Sequence, residues 1–193
     1  MTPSIDKSQF DDEYELRLAW RRNDPAIERD AELFWRGNNA LPRGEDVERR
    51  LSELCAVAYG ADGLAAVATA RIRTIDFLRT KLAMLRVFVA PGARVQNLAR
   101  RLTVLCRDAL EIWSKQHPEE EVMGVGTVVQ SRLVVKNAPF AVYPTTKMIF
   151  VGYTQEGYQV RVYWFTHATI STYWPGDDRP GGPQNANEQP GQS

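Results

Sequence analysis

One segment in the middle of the chain limits the folds that this sequence can adopt. Residues 83–89 are apolar apart from Arg86 and have the length of a strand, Pro91 and Gly92 follow, and apolar residues then recur at helical spacing from Leu98 to Trp113. This order predicts a strand that passes through a short turn into a helix of about five turns. The chain is therefore expected to combine strands and helices in one α/β (α+β) unit.

The turn within this segment reads Arg94-Val-Gln-Asn-Leu-Ala99. A helix leaves its first backbone N–H groups without partners, and its N-terminal end carries a partial positive charge. A diphosphate can replace the missing acceptors at such a place. The turn is thus a candidate phosphate cradle, and the alternative is an ordinary helix start packed under a strand.

The other predicted elements surround this unit. The segment from Tyr14 to Trp20 alternates apolar and polar residues, as a half-buried strand does. Asn23 or Asp24 can cap a helix that contains Pro25 in its first turn and ends at Gly37. The remaining expectations are a helix over 45–54, strands over 55–59, 64–74, 122–129, 148–153 and 158–165, hairpin turns over 60–63 and 154–157, and a short helix over 130–137.

Composition limits the class of protein. Of the 193 residues, 44% are hydrophobic and 25% are charged, so the chain is expected to form one globular domain with a core. No apolar run approaches the roughly 20 residues that cross a bilayer, and the first residues do not resemble a signal peptide, so a cytoplasmic location without membrane contact is expected. Cys55 and Cys106 stand in apolar surroundings and are interpreted as core residues, and no metal site is expected.

Positive charge is concentrated in the middle of the chain. Residues 71–107 contain nine Lys and Arg but one acidic residue, Asp76, although the formal net charge of the protein is zero. This excess suits an anionic ligand, and the alternative is that these arginines pair with the acidic flanks. Nucleic acid is disfavoured, because the arginines alternate with apolar residues and do not form a run with exposed aromatics.

The turn motif resembles that of a known family. Arg94-x-x-Asn97-x-Ala99 is similar to (Gln/Arg)-x-x-Gly-x-(Gly/Ala), the coenzyme A motif of the GNAT superfamily of acyl-CoA-dependent N-acyltransferases, with Asn97 in place of the central glycine. The predicted order of strands and helices is also similar to that family over roughly residues 12–168. The resemblance implies a single GNAT-like domain with a mixed, mostly antiparallel central sheet of about seven strands flanked by helices. Residues 175–193 contain no large apolar residue and are expected to form a disordered tail.

The resemblance also implies an activity and a cofactor. It implies transfer of an acyl group from acetyl-CoA or another acyl-CoA directly to an amine, with the pantetheine arm along the peptide edge of residues 86–89 and the diphosphate at the N–H groups of residues 95–99. The implied cofactor-binding residues are Phe88, Val89, Arg94, Val95, Gln96, Asn97, Leu98 and Ala99. Arg100 and Arg101 can reach a phosphate from the first helical turns or form a solvated face.

One tyrosine is the candidate for acid catalysis. Asn137-Ala-Pro-Phe-Ala-Val-Tyr143 resembles the family's Asn-x-x-Ala-x-x-x-Tyr region, which implies that Tyr143 protonates the departing thiolate. The alternative is a buried or lid tyrosine. Neither His117 nor His167 has a sequence position that favours it as the base that deprotonates the amine.

The resemblance leaves the acceptor and the assembly open. The resemblance implies that residues 37–42 and 154–158 occupy the places that recognise the acceptor, and the acceptor is expected to be a small-molecule or peptide amine. A homodimer is compatible with the sequence. The alternative function is a GNAT-fold protein without catalysis that binds or senses an acyl-CoA or another ligand, and Asn97 favours it.

Overall fold

The computed structural model describes residues 13–41, 44–94, 97–137 and 139–169, apart from the side chains of residues 133 and 137. The predicted element order is confirmed within these ranges, whereas the tail over 175–193 lies outside them. No helix in this part of the chain is long and apolar enough to cross a membrane. The elements are β1 (Glu15–Leu18), α1 (Pro25–Gly37), α2 (Val47–Ser52), β2 (Leu54–Gly60), β3 (Gly63–Ile75), β4 (Thr80–Val89), α3 (Leu98–Gln116), β5 (Val122–Val129), α4 (Arg132–Asn137), β6 (Ile149–Tyr153) and β7 (Gln159–Trp164).

The strands form one seven-stranded sheet in the order β1-β2-β3-β4-β5-β7-β6. Strands β4 and β5 are parallel, and α3 connects them, as a parallel pair requires. The other neighbouring strands are antiparallel. The expected mixed, mostly antiparallel sheet is therefore confirmed.

Side-chain caps fix the starts of the first two helices. The Asp24 carboxylate accepts hydrogen bonds from the N–H groups of Ala26 at 3.0 Å and Ile27 at 3.3 Å, and Pro25 occupies the first turn. The Asp46 carboxylate accepts from the N–H of Arg49 at 3.1 Å. These caps satisfy donors that would otherwise have no partner, so the α1 start predicted from sequence is confirmed.

The helices cover the two faces of the sheet. On one face α3 packs against β2, β3, β4 and β5, and on the other face α1 packs against β2 and β3. Cys55 of β2 and Cys106 of α3 are both buried and form no disulfide, as expected of core residues. Burial raises the pKa of the Cys106 thiol well above its ordinary value, and the neighbouring Cys55 raises it further.

Not every apolar residue of the helices faces the core. Leu33 of α1 is 60% exposed, and Ile112, which belongs to the apolar pattern from Leu98 to Trp113, is 62% exposed. The buried residues of α3 instead recur at every fourth position: Leu98, Leu102, Cys106, Leu110 and Ser114. Ser114 is tolerated in this row because its hydroxyl donates a hydrogen bond to the Val122 carbonyl at 2.7 Å.

Candidate functional site

Strands β4 and β5 separate before either strand ends. Their pairing stops at Met84 and Gly126, while β4 continues to Val89 and β5 continues to Val129. Pairing with β3 occupies the other edge of β4 as far as Val89. Beyond Met84, β4 therefore presents toward β5 an edge that has no strand pairing with β5.

Helix α3 begins at the open end of this divergence in an unusual backbone conformation. Asn97, which precedes the helix, has φ 88 and ψ -12 in degrees. This left-handed conformation favours glycine, and asparagine tolerates it better than most residues do. The first hydrogen bond into the helix runs from the Arg101 N–H to the Asn97 carbonyl at 2.8 Å. The N–H groups of the three preceding residues, 98–100, thus have no acceptor within the helix.

The predicted cofactor residues occupy different environments. Arg94, Asn97 and Ala99 are exposed, and the Asn97 side chain makes no capping hydrogen bond. Leu98 is 1% exposed within the core, so it can offer a ligand its peptide N–H but not its side chain. Val95 and Gln96 lie outside the described residues.

The two predicted cofactor residues of β4, Phe88 and Val89, make different contacts. The Phe88 ring packs edge-on against Phe34 of α1, with 5.7 Å between ring centroids. This contact turns the Phe88 side chain toward α1. Val89 forms the last pair of β4 with β3, opposite Ala66. Both residues lie on the part of β4 that does not pair with β5.

Tyr143 lies in a short extended segment between α4 and β6. Its N–H donates to the Met148 carbonyl at 2.9 Å, and Val142 forms a bridge with Ile149. The Tyr143 hydroxyl is buried and has no hydrogen-bond partner among the described residues. Burial of an unpaired hydroxyl costs free energy, and a hydrogen bond to this oxygen would reduce that cost.

Arg161 of β7 packs against the face of the Tyr143 ring. It is 1% exposed, and its guanidinium carbon lies 3.9 Å from the centre of that ring. It donates to the Phe140 carbonyl at 2.9 Å and to the Gln159 side-chain oxygen at 2.9 and 3.1 Å. Sequence reasoning missed this residue, and the available signal was a charged residue within the otherwise apolar run over 160–164.

The sheet register relates Tyr143 to the divergence. Arg161 is paired with Thr127 of β5, which immediately follows the last residue that pairs with β4. The Thr127 hydroxyl donates to the Leu85 carbonyl of β4 at 3.2 Å. Tyr143 therefore lies on the β5 and β7 side of the opening.

Side chains of α3 hold the same region in place. Arg107 donates to the Thr146 carbonyl at 2.8 Å, and its guanidinium carbon lies 4.7 Å from the Tyr163 ring centre. The Glu111 carboxylate accepts from the Tyr163 hydroxyl at 3.0 Å and from the Thr166 N–H at 2.7 Å. Burial raises the pKa of Glu111, but these hydrogen bonds outweigh burial, so its pKa is below the ordinary value.

Neither histidine lies near the divergence. His117 follows the last residue of α3 and stacks on Trp113. At the rise of an α-helix, this end of α3 is about 28 Å from its start. His167 stacks on Phe165 and lies 3.4 Å from the Ser114 hydroxyl, near the same end of the helix. A base role for either residue at the divergence is therefore inconsistent with the fold.

A hollow of about 410 Å³ lies elsewhere, beside the free edge of β1. Leu16, Leu18, Arg22 and Ile27 contribute to its lining. It contains neither the start of α3 nor Tyr143. The divergence is a better candidate site, because it combines an edge of β4 that does not pair with β5 and the start of α3.

Part of the positive charge in the middle of the chain is paired. Arg71 lies 3.6 Å from a Glu53 carboxylate oxygen, and Lys81 lies 3.3 Å from Glu121. These pairs are of the kind that the alternative interpretation of the charge excess predicted. Arg86 and Arg50 form no ion pair with a described residue.

A scan against protein-family models gives no match, and a search for similar sequences among curated proteins gives none either. The structure is similar to the ribosomal-protein-S18-alanine N-acetyltransferase from Escherichia coli, with a TM-score of 0.51 and 15% identity over 83% of this chain and 99% of that one.

Two further solved structures have lower scores. An acetyltransferase of the GNAT family from Streptococcus pneumoniae gives a TM-score of 0.46 and 14% identity over 79% of this chain and 99% of that one. N-acetylglutamate synthase from Neisseria gonorrhoeae, complexed with coenzyme A and L-arginine, gives 0.48 and 11% identity over 80% of this chain and 34% of that one. With its strand order, its single parallel pair and its similarity to the Escherichia coli enzyme, the chain has the fold of the GNAT N-acetyltransferases.

Proposed function

We propose that this chain is an acyl-CoA-dependent N-acyltransferase that transfers the acetyl group of acetyl-CoA, or another acyl group, directly to an amine. The observation that carries the proposal is the divergence of β4 and β5 beyond Met84 and Gly126, with the start of α3 at its open end. An extended ligand can bond to the unpaired peptide edge of β4 as an added strand does. A diphosphate can bind at the start of α3.

The residues around the divergence fit such a cofactor. The peptide groups of residues 86–89 would bond to the pantetheine arm. The N–H groups of residues 98–100, the Asn97 amide and the Arg94 guanidinium would bind the diphosphate. The unpaired donors at the helix start and the exposed Asn97 side chain without a capping bond support this assignment.

Tyr143 is the proposed general acid. In the reaction a bond forms between the amine nitrogen and the acyl carbon, and the bond between that carbon and sulfur breaks. The Tyr143 hydroxyl gives its proton to the departing sulfur, and the proton of the amine passes to water. The buried hydroxyl without a partner among the described residues supports this role, because a bond to a ligand would satisfy it.

The proposal also includes a small-molecule or peptide amine as acceptor, a cytoplasmic location and a homodimeric assembly. A second candidate is a GNAT-fold protein that binds an acyl-CoA without turnover. Asn97 at the position of the motif glycine favours it, because a side chain stands where the cofactor approaches the backbone.

Release of free thiol from acetyl-CoA tests the proposal. The purified chain is assayed with a panel of primary amines, beside the variants Tyr143→Phe and Tyr153→Phe. Tyr153 is the matched control, since it is 62% exposed on the edge strand β6. We expect amine-dependent thiol release in the wild type and in Tyr153→Phe, and a rate about 100-fold lower in Tyr143→Phe.

Other results distinguish the alternatives. An unchanged rate in Tyr143→Phe would remove this tyrosine from the mechanism. Binding of coenzyme A without thiol release for any amine would favour the candidate without turnover.

A further inference from the structure

Two arginines without acidic partners among the described residues lie on the face of the sheet that carries α1 and α2. Arg86 follows Met84 by two residues, so it belongs to the part of β4 that no longer pairs with β5. Its side chain is exposed. Its neighbours on alternate positions of β4, Met84 and Phe88, belong to the apolar clusters on this face, so Arg86 points to the same side.

Arg50 of α2 lies nearby and is buried. It is 7% exposed, its guanidinium carbon lies 4.9 Å from the Trp35 ring centre, and its Nε has no hydrogen-bond partner among the described residues. In the sheet, Arg86 pairs with Thr69 of β3, and Thr69 pairs with Leu54 of β2. Leu54 begins β2 shortly after the end of α2, so this row of paired residues runs from Arg86 toward the helix that carries Arg50. Burial lowers the pKa of Arg50, and repulsion from Arg86 is one of the further causes.

The carboxylates near these arginines are already engaged. Glu45 lies 2.8 Å from Arg49. Glu53 lies 3.6 Å from Arg71 and 3.9 Å from Arg49. The negative charges of Glu45 and Glu53 favour the charged form of Arg50, but neither forms an ion pair with Arg50 or Arg86. The row therefore retains positive charge that no described carboxylate contacts.

We propose that Arg86, supported by Arg50, binds an anionic group of the acceptor, so that the acceptor is an amine that also carries a carboxylate or a phosphate. This inference rests on the proposed acyl transfer, since it places the acceptor beside the acyl end of the cofactor along residues 86–89. Arginine suits the role because its planar donors bond to carboxylate and phosphate oxygens in pairs. Partial burial of the row strengthens the attraction relative to open water.

The test compares anionic amines with neutral counterparts. Glycine, 3-aminopropanoate and 4-aminobutanoate are each paired with the corresponding amide, and phosphoethanolamine is paired with ethanolamine. KM is measured by thiol release from acetyl-CoA, and Kd is measured by calorimetry on the complex with coenzyme A. At least one anionic amine is expected to have a KM and a Kd about tenfold lower than its neutral partner.

The variant Arg86→Gln is expected to abolish this preference while the Kd of coenzyme A stays within about twofold of the wild-type value. Arg73→Gln is the matched control, because Arg73 is an exposed arginine on the same face of β3, farther from the divergence. It is expected to retain the preference. The carboxylate and phosphate pairs show which anion is bound.

The possible failures are separable. If coenzyme A does not bind the wild type, the proposed function fails first. If coenzyme A binds but no anionic amine is preferred, or Arg86→Gln retains the preference, the inference about the acceptor is overturned alone. Weaker coenzyme A binding in Arg86→Gln would also overturn it, since the Arg86 side chain, and not only its peptide group, would then contact the cofactor.

Discussion

Replacement of Asn97 separates the stability of the turn from its ability to bind phosphate. The residue is held in the left-handed conformation, with a φ of 88 degrees. That conformation costs an ordinary L-residue roughly 1 kcal/mol or somewhat more, and it costs asparagine less than most. Asn97→Ala should therefore lower the free energy of unfolding by about 1 kcal/mol. Asn97→Gly should change it by less than about 0.5 kcal/mol, because the relief of strain is offset by the greater freedom of glycine in the unfolded chain.

Binding of coenzyme A should follow a different order. The Asn97 amide is exposed and makes no capping bond, so it can donate to a phosphate oxygen. A hydrogen bond to a charged group contributes about 1.5 kcal/mol, so Asn97→Gly should weaken binding roughly tenfold. Asn97→Gly is thus expected to be as stable as the wild type and yet a weaker binder.

Urea denaturation and calorimetric titration with coenzyme A measure the two quantities. Ala99→Gly is the control for a general effect of glycine, since it lies at a helical position of α3 and should cost about 1 kcal/mol of stability. Tighter binding by Asn97→Gly would show that the side chain obstructs the phosphate. If neither Asn97→Gly nor Arg94→Ala changes binding, the phosphate cradle is refuted.

Two further predictions concern the support of the fold. Arg161→Met should lower the free energy of unfolding by roughly 3 kcal/mol, because the Phe140 carbonyl and the Gln159 side-chain oxygen lose their donors. Urea denaturation measures this change, and a loss below about 1 kcal/mol would contradict the prediction. Burial and a hydrogen bond to Asp30 raise the pKa of Tyr59 from 10.0 to about 12. The neutral Tyr59 hydroxyl therefore contributes its full stabilisation below pH 10, and this contribution is lost as the pH rises through about 12. Denaturation at a series of pH values across this window should show the loss in the wild type and not in Tyr59→Phe, and equal pH dependence would refute it.

Elements with local signals were predictable from the sequence. The Asp24 cap with Pro25 marked the start of α1, and the apolar run over 122–129 coincides with β5. Burial on the helices was less predictable, because it depends on which side of a helix the sheet contacts. Ser114 is buried since a strand carbonyl accepts its hydroxyl hydrogen, and Ile112 is exposed since the sheet does not reach its side of α3.

The candidate site was predictable only where a single segment forms it. The end of β4 and the start of α3 are close in sequence, so their juxtaposition followed from the pattern around Arg94 and Asn97. Arg161 and Arg86 depend on register between strands that are distant in sequence. The contact between Arg161 of β7 and the Tyr143 ring cannot be predicted from a local sequence pattern, because it arises from tertiary packing.

The central claim is that acyl-CoA binds along β4 where it diverges from β5. Hydrogen exchange followed by mass spectrometry, with and without saturating acetyl-CoA, tests this claim most directly because a bound pantetheine arm would protect peptide N–H groups. We predict that protection increases in peptides that cover residues 84–101 and 126–130. Unchanged exchange there, or protection confined to the hollow beside β1, would contradict the claim.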